Sequence, residues 1–154
     1  MAQSHALTGL SPREAVADAL QRCALGFDNN DRDMVASAMV KDEDTSLAIG
    51  PRIIQGWSAI NENLAVIFRL VTTHYITNIR VELKDGADTA SLSAHAQAFH
   101  IRPDDALKKE DTAYTSGSLY FIDLVKDSTD GLWKIKKWEI KLLWTTGDRE
   151  VLNV

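Results

Sequence analysis

The second half of the chain constrains the fold most, because it reads as four long strands in succession. Ile79, Val81 and Leu83 alternate with Arg80 and Glu82, the period of two that marks a half-buried strand. Lys84-Asp85-Gly86 then supplies a hairpin turn. The return strand, 89–101, sets Leu92, Ala94, Ala96, Ala98 and His100 on one face and Ser91, Ser93, His95, Gln97 and Phe99 on the other. Two further strands, 114–126 and 132–144, join across Asp127-Ser128-Thr129-Asp130-Gly131. In the last strand Trp138, Ile140, Leu142 and Trp144 are expected to share a face opposite Lys137, Glu139 and Lys141.

The first half supplies the helices. In Ser11-Pro12-Arg13-Glu14 the serine can cap, the proline fits the first helical position and the glutamate can close a capping box. That helix extends to about residue 27, with Val16, Leu20, Cys23, Ala24 and Phe27 as its apolar stripe. Asp31 can cap a short second helix reaching residue 40. A hairpin of 45–49 with 52–55 follows, and Ser58 is expected to cap a third helix running through Ile60, Leu64, Ile67 and Phe68 to Val71. Three helices cannot cover both faces of the sheet. The pattern therefore predicts an α+β fold in which a curved, mainly antiparallel sheet wraps around the helices and leaves a cone-shaped internal pocket. The opposite sheet face calls for self-association, as a homodimer or homotrimer. One domain, 11–148, is expected between a flexible N-terminal tail (1–10) and a C-terminal tail (149–154).

A chain of 154 residues with 45% hydrophobic content can bury one core. Its formal charge of −5 argues against a sequence-independent grip on nucleic acid. No apolar run approaches membrane-spanning length, and a cytoplasmic, soluble protein is expected. The single cysteine, Cys23, lies on an apolar stripe and reads as a small buried hydrophobe. There is no phosphate loop and no metal-ligand spacing, so no cofactor or metal is expected and the chemistry falls to ordinary side chains.

Three polar residues stand out. His74 opens the 72–83 stretch, and strict alternation back from Ile79 puts it on the face of Arg80, towards solvent. A β-bulge between His74 and Ile79 would flip the parity and turn His74 inward, and bulges tend to sit beside active sites. Asp28 continues the face of Leu20 and Ala24 towards the core, an expensive place for an unpaired carboxylate. The alternative makes it a turn residue of Asp28-Asn29-Asn30-Asp31. His100 ends the face of three alanines, which leaves room for a ligand or for core side chains from elsewhere; His95 falls on the polar face. The loop 102–111 is long enough for a lid and equally reads as a solvated connector.

Phe27-Asp28-Asn29-Asn30-Asp31, Thr73-His74-Tyr75-Ile76, the 88–100 strand, and Gly131-Leu132-Trp133-Lys134-Ile135 through Trp144-Thr145-Thr146-Gly147-Asp148 occur in an order that resembles the NTF2-like superfamily, in particular its SnoaL-like branch with scytalone dehydratase. The resemblance implies a general base at His74, oriented by Asp28, with His100 as the partner acid. Phe27 and the 45–49 strand lack the two tyrosines that hold a catalytic water in that enzyme, which argues against scytalone as the substrate; Tyr120 is a possible substitute hydroxyl. The implied activity is that of a cofactor-independent dehydratase, double-bond isomerase or cyclase acting on a hydrophobic polyketide- or terpenoid-like carbonyl compound. Phe27, Phe68, Ala96, Ala98, Tyr120 and Trp138 would form its binding walls. Two other readings stay open: a non-catalytic ligand-binding or dimeric interaction module, and an accessory subunit resembling the β subunit of ring-hydroxylating dioxygenases.

Overall fold

The computed structural model describes residues 5–108 and 112–153. The start of the expected N-terminal tail (1–4) and residues 109–111 of the loop considered as a lid lie outside the described residues. The helices are α1 (Pro12–Asp28), α2 (Arg32–Ser37) and α3 (Trp57–Leu64). The strands are β1 (Ser46–Ile49), β2 (Arg52–Gln55), β3 (Val71–Glu82), β4 (Thr89–Ile101), β5 (Tyr114–Lys126) and β6 (Trp133–Gly147). They form one curved sheet in the order β2-β1-β6-β5-β4-β3, an antiparallel meander extended by a short hairpin whose β1 runs parallel to β6.

The capping box forms: the backbone N–H of Glu14 donates to Ser11 Oγ, and the N–H of Ser11 donates to Glu14 Oε2 at 2.7 Å. Asp31 caps α2 by accepting from the N–H of Met34 at 2.8 Å. α3 departs from expectation at both ends. Gly56, at φ 85°, is its N-cap in place of Ser58, a backbone conformation that glycine adopts without a Cβ penalty. The helix ends at Leu64, then tightens into a 3-10 turn (Ile67–Arg69) that buries Phe68 beside Phe27, so Val71 opens β3 instead of closing the helix.

Three register shifts decide which side chains face inward, one of them leaving Lys136 unmatched between Ile135 and Lys137 of β6. Between β3 and β4 the pairing passes from Thr77↔His95 to Arg80↔Ser93, so Asn78 and Ile79 oppose a single residue, and Asn78 takes a left-handed φ of 53°. That extra residue places Thr72, His74 and Ile76 on the same side as Ile79 and Val81. Of the two possibilities read for His74, the inward one is realised. Between β5 and β6 the pairing passes from Ser118↔Leu142 to Gly117↔Trp144, leaving Leu143 unmatched. Trp144 is thereby turned away from the face of Trp138 and Leu142, contrary to strict alternation. Its indole lies so close over Gly117 that a Cβ there would sit 2.3 Å from Trp144 Cε2.

The core lies between α1, α3 and the concave face, with Leu20, Leu47, Ile60, Ile122 and Ile135 among its fully buried side chains. Arg22 of α1 is buried with them, its charge met by Asp18 and by the Trp133 carbonyl at 2.6 Å. Cys23 is fully buried, as expected for a core hydrophobe. The opposite face carries half-exposed Val71, Tyr75, Phe121 and Trp144. The segment expected as a C-terminal tail folds back instead. Arg149–Leu152 form a 3-10 turn, capped by Asp148, because Val151 is completely buried against Leu70 and Tyr114. Among the described residues no helix is long and apolar enough to cross a membrane.

Candidate active site

α1 ends at Asp28 with its carboxylate turned to the start of β3, so the turn-residue alternative for Asp28 is set aside. Three groups donate to it: Thr72 Oγ1 at 2.8 Å and His74 Nδ1 at 2.7 Å to one oxygen, and the backbone N–H of His74 at 2.8 Å to the other. Burial pushes the carboxyl towards protonation, but the hydrogen bonds and charge of His74 and the Thr72 hydroxyl outweigh it, holding the group below the usual carboxylate range. An ionised carboxylate only accepts, so His74 Nδ1 must carry a proton, and the neutral ring presents an unprotonated Nε2.

The His74 side chain is 9% exposed and lies with Phe27 at 5.6 Å between ring centroids and His100 at 5.8 Å, edge-on. His100 sits at the inner end of β4, opposite Thr72 on β3 and Tyr114 on β5. Its Nδ1 lies 3.4 Å from the Tyr114 carbonyl oxygen, an acceptor, so Nδ1–H donates there and Nε2 is left as an acceptor. Burial first, and then the charge of nearby His74, push its pKa down to about 4. The resemblance implies an acid at this position; the surroundings instead favour a neutral ring near pH 7, because a cation is costly in a buried site.

These groups open onto a cavity of about 540 Å³, within the range of small-molecule sites. Of the expected binding residues, Phe27, Ala98, Tyr120 and Trp138 line it. Phe68 and Ala96 do not: Phe68 packs behind Phe27 with the Arg32 guanidinium 4.4 Å above its ring, and Ala96 is absorbed into the core. The Tyr120 hydroxyl makes no hydrogen bond to another described residue, and burial raises its pKa so that it remains a donor. Its ring stands edge-on to Trp138 at 5.2 Å.

Sequence reasoning missed Thr72, which helps hold Asp28, and Tyr114, Ser116 and Ser118, which share the cavity face of β5 with Tyr120. The period of two around Tyr120 carried that signal. Arg149 was missed because its segment read as a tail. His95 is exposed, with its Nδ1 3.2 Å from Asn78 Nδ2.

Residues 9–139 match the SnoaL-like domain family. The chain is 38% identical, over 94% of its length and 91% of the other's, to terrestric acid biosynthesis cluster protein E of Penicillium crustosum. Among solved structures it is similar to a candidate scytalone dehydratase of Novosphingobium aromaticivorans, with a TM-score of 0.74 and 24% identity over 88% of this chain and 87% of that one. It is also similar to an NTF2-like superfamily protein of Salmonella enterica serovar Typhimurium, with a TM-score of 0.70 and 15% identity over 90% and 95%. With the domain matched across most of its length and a relative at 38% identity, the chain belongs to the SnoaL-like family and has the NTF2-like fold.

Proposed function

We propose that this protein is a cofactor-independent lyase or isomerase of secondary metabolism, acting on a hydrophobic carbonyl compound through a single catalytic base, His74. The observation that carries the reading is the 2.7 Å contact of His74 Nδ1 with Asp28 in a ring that lines an internal cavity. The lone pair of Nε2 removes a proton from the carbon next to the carbonyl, and Asp28 stabilises the imidazolium that forms. The same imidazolium then returns the proton, either to a leaving hydroxyl or to another carbon. His100, neutral and with Nε2 as an acceptor, orients a substrate hydroxyl. Tyr120 is a donor for the oxygen on which enolate charge develops. The family and the biosynthetic-cluster name of the Penicillium relative support a place in secondary metabolism.

The test is exchange of α-protons for deuterium in a panel of hydrophobic β-hydroxy and unsaturated ketones. His74→Ala and Asp28→Asn should each keep the native fold and lose exchange. Exchange that persists in both variants removes the base assignment and leaves a ligand-binding module as the better reading.

A further inference from the structure

Apart from the two histidines, the charged side chains that line the cavity are both cations, Arg52 and Arg149. Both residues are exposed, so they stand at its mouth. Their places in the fold agree. Arg52 begins β2 opposite Ile49, which pairs with Ile140 of β6, and Arg149 lies in the turn just after β6 ends. They therefore flank the 140–147 end of β6, whose Ile140, Leu142 and Thr145 form one wall of the entrance.

Neither arginine side chain has an ion pair or hydrogen bond with another described residue. Four other arginines are engaged, Arg13 by the Val81 carbonyl, Arg22 by Asp18, Arg32 by the Phe68 ring and Arg102 by Asp148, whereas exposed Arg80 shares the lack of a side-chain partner but lies outside the cavity lining. The carboxylates adjacent to Arg149 are also occupied. Asp148 receives Arg102 at 3.3 Å and the N–H of Glu150 at 2.9 Å, and Glu150 receives Asn153 Nδ2 at 2.7 Å. A protein of net charge −5 thus presents two uncommitted guanidiniums among the residues that line an apolar cavity, and no carboxylate among them, Asp148 and Glu150 lying beside Arg149 outside the lining. Low-dielectric walls focus such a field on whatever enters, and guanidinium forks match the geometry of a carboxylate.

We propose that the compound taken by this cavity is an amphipathic organic acid, with its carboxylate held at the mouth by Arg52 and Arg149 and its apolar, carbonyl-bearing body directed inward to His74. The inference rests on the reading of the cavity as the substrate site and adds the chemical class of what binds there. It also fixes the direction of binding: charge outward, reacting carbon inward. A neutral compound of the same shape would lack the anchor that sets its depth.

The test uses 2-naphthoate and its neutral counterpart 2-naphthylmethanol, each titrated into the full chain while the imidazole resonances of His74 and His100 report occupancy of the cavity. The acid should bind more tightly than the alcohol. Arg52→Gln and Arg149→Gln should each weaken the acid about 3- to 10-fold and leave the alcohol unchanged, and the double variant should abolish the difference. About 0.5 M salt should narrow the same gap in the unaltered chain by screening the exposed arginines. Equal affinity of the two probes, failure of the acid to shift either histidine, or equal losses for both probes in the variants would overturn the proposal. The readout is occupancy and not turnover, so it stands or falls separately from the base assignment. Loss of α-proton exchange in His74→Ala with no acid preference would sink this inference alone, and the converse pair of results would sink the base alone.

Discussion

Replacing Asp28 by asparagine separates structure from chemistry at this site, because the hydrogen bonds can be rewritten without being lost. Asp28 accepts from Thr72 Oγ1 and His74 Nδ1 on one oxygen and from the backbone N–H of His74 on the other. A backbone N–H cannot change role, so in the Asp28→Asn variant the amide oxygen must take that position. The NH2 group then faces Thr72 and the imidazole. The threonine hydroxyl rotates to accept, and the imidazole satisfies the new donor by moving its proton from Nδ1 to Nε2. Each bond survives in reversed polarity, so stability should change by no more than about 1 kcal/mol. The nitrogen facing the cavity, however, now carries a proton in the neutral ring and cannot act as a base. The carboxylate that stabilises the imidazolium is gone as well. The expected loss is about 10²–10⁴ in exchange rate, or about 3–5 kcal/mol in the barrier. The assay pairs α-proton exchange with the 15N shifts of the His74 ring, which distinguish the two tautomers directly. If Asp28→Asn leaves the tautomer unchanged, or changes it without slowing exchange, the assigned role of the pair is wrong.

Acidification should expose His100. Its folded pKa is about 4 against an ordinary value of about 6.5, so the unfolded chain takes the proton first. Stability is therefore complete above about pH 6.5, falls as the pH drops towards 4 by about 3 kcal/mol, and levels off below, where Asp28 begins its own loss; urea midpoints of the unaltered chain and His100→Asn between pH 7 and 4.5 should diverge, and parallel curves refute the linkage. Gly117→Ala drives a methyl into the Trp144 indole, and should cost about 1–3 kcal/mol with a red-shifted tryptophan emission; an unchanged melting point and spectrum count against that packing. We further expect a second copy of the chain to cover the outer sheet face. Tyr75→Asp with Trp144→Asp should lower the mass seen by sedimentation, and a monomer before substitution contradicts this.

The elements were largely legible because hydrophobic period is a local property. The helix from residue 12, the hairpin, and the four long strands all follow from spacing visible within a dozen residues. The triad of Asp28, His74 and His100 was legible only as competing possibilities. The direction of His74, and with it the partner of Asp28, depends on where one extra residue sits in β3, and sequence fixes a bulge weakly: Asn78 is one of several polar residues that tolerate a left-handed conformation. Trp144 shows the same difficulty at the second bulge, where Leu143 alone reverses the face. The neutrality of His100 was out of reach, since it depends first on how deeply the ring is buried and then on how closely His74 approaches. Arg149 was hidden for another reason: a short polar terminus looks detached until Val151 is seen to be wholly buried.

The left-handed residue at Asn78 also gives the strand a reading frame. Upstream of it the even-numbered residues of β3 face the concave side of the sheet; downstream the odd-numbered ones do. Loss of one codon there would restore uninterrupted alternation, and the strand would have to choose which half to keep in phase. Ile76 packs against the same core as Ile79 and Val81, so either half would give up core contacts on turning outward, and turning the upstream half would carry Thr72 and the imidazole to the surface. Every side chain of the proposed acid–base set would still be encoded, but Asp28 would lose all three of its donors, so the protein should melt lower as well as lose the proposed α-proton exchange. In this architecture, a single frame-preserving deletion separates the assembled pair of Asp28 and His74 from its scattered parts.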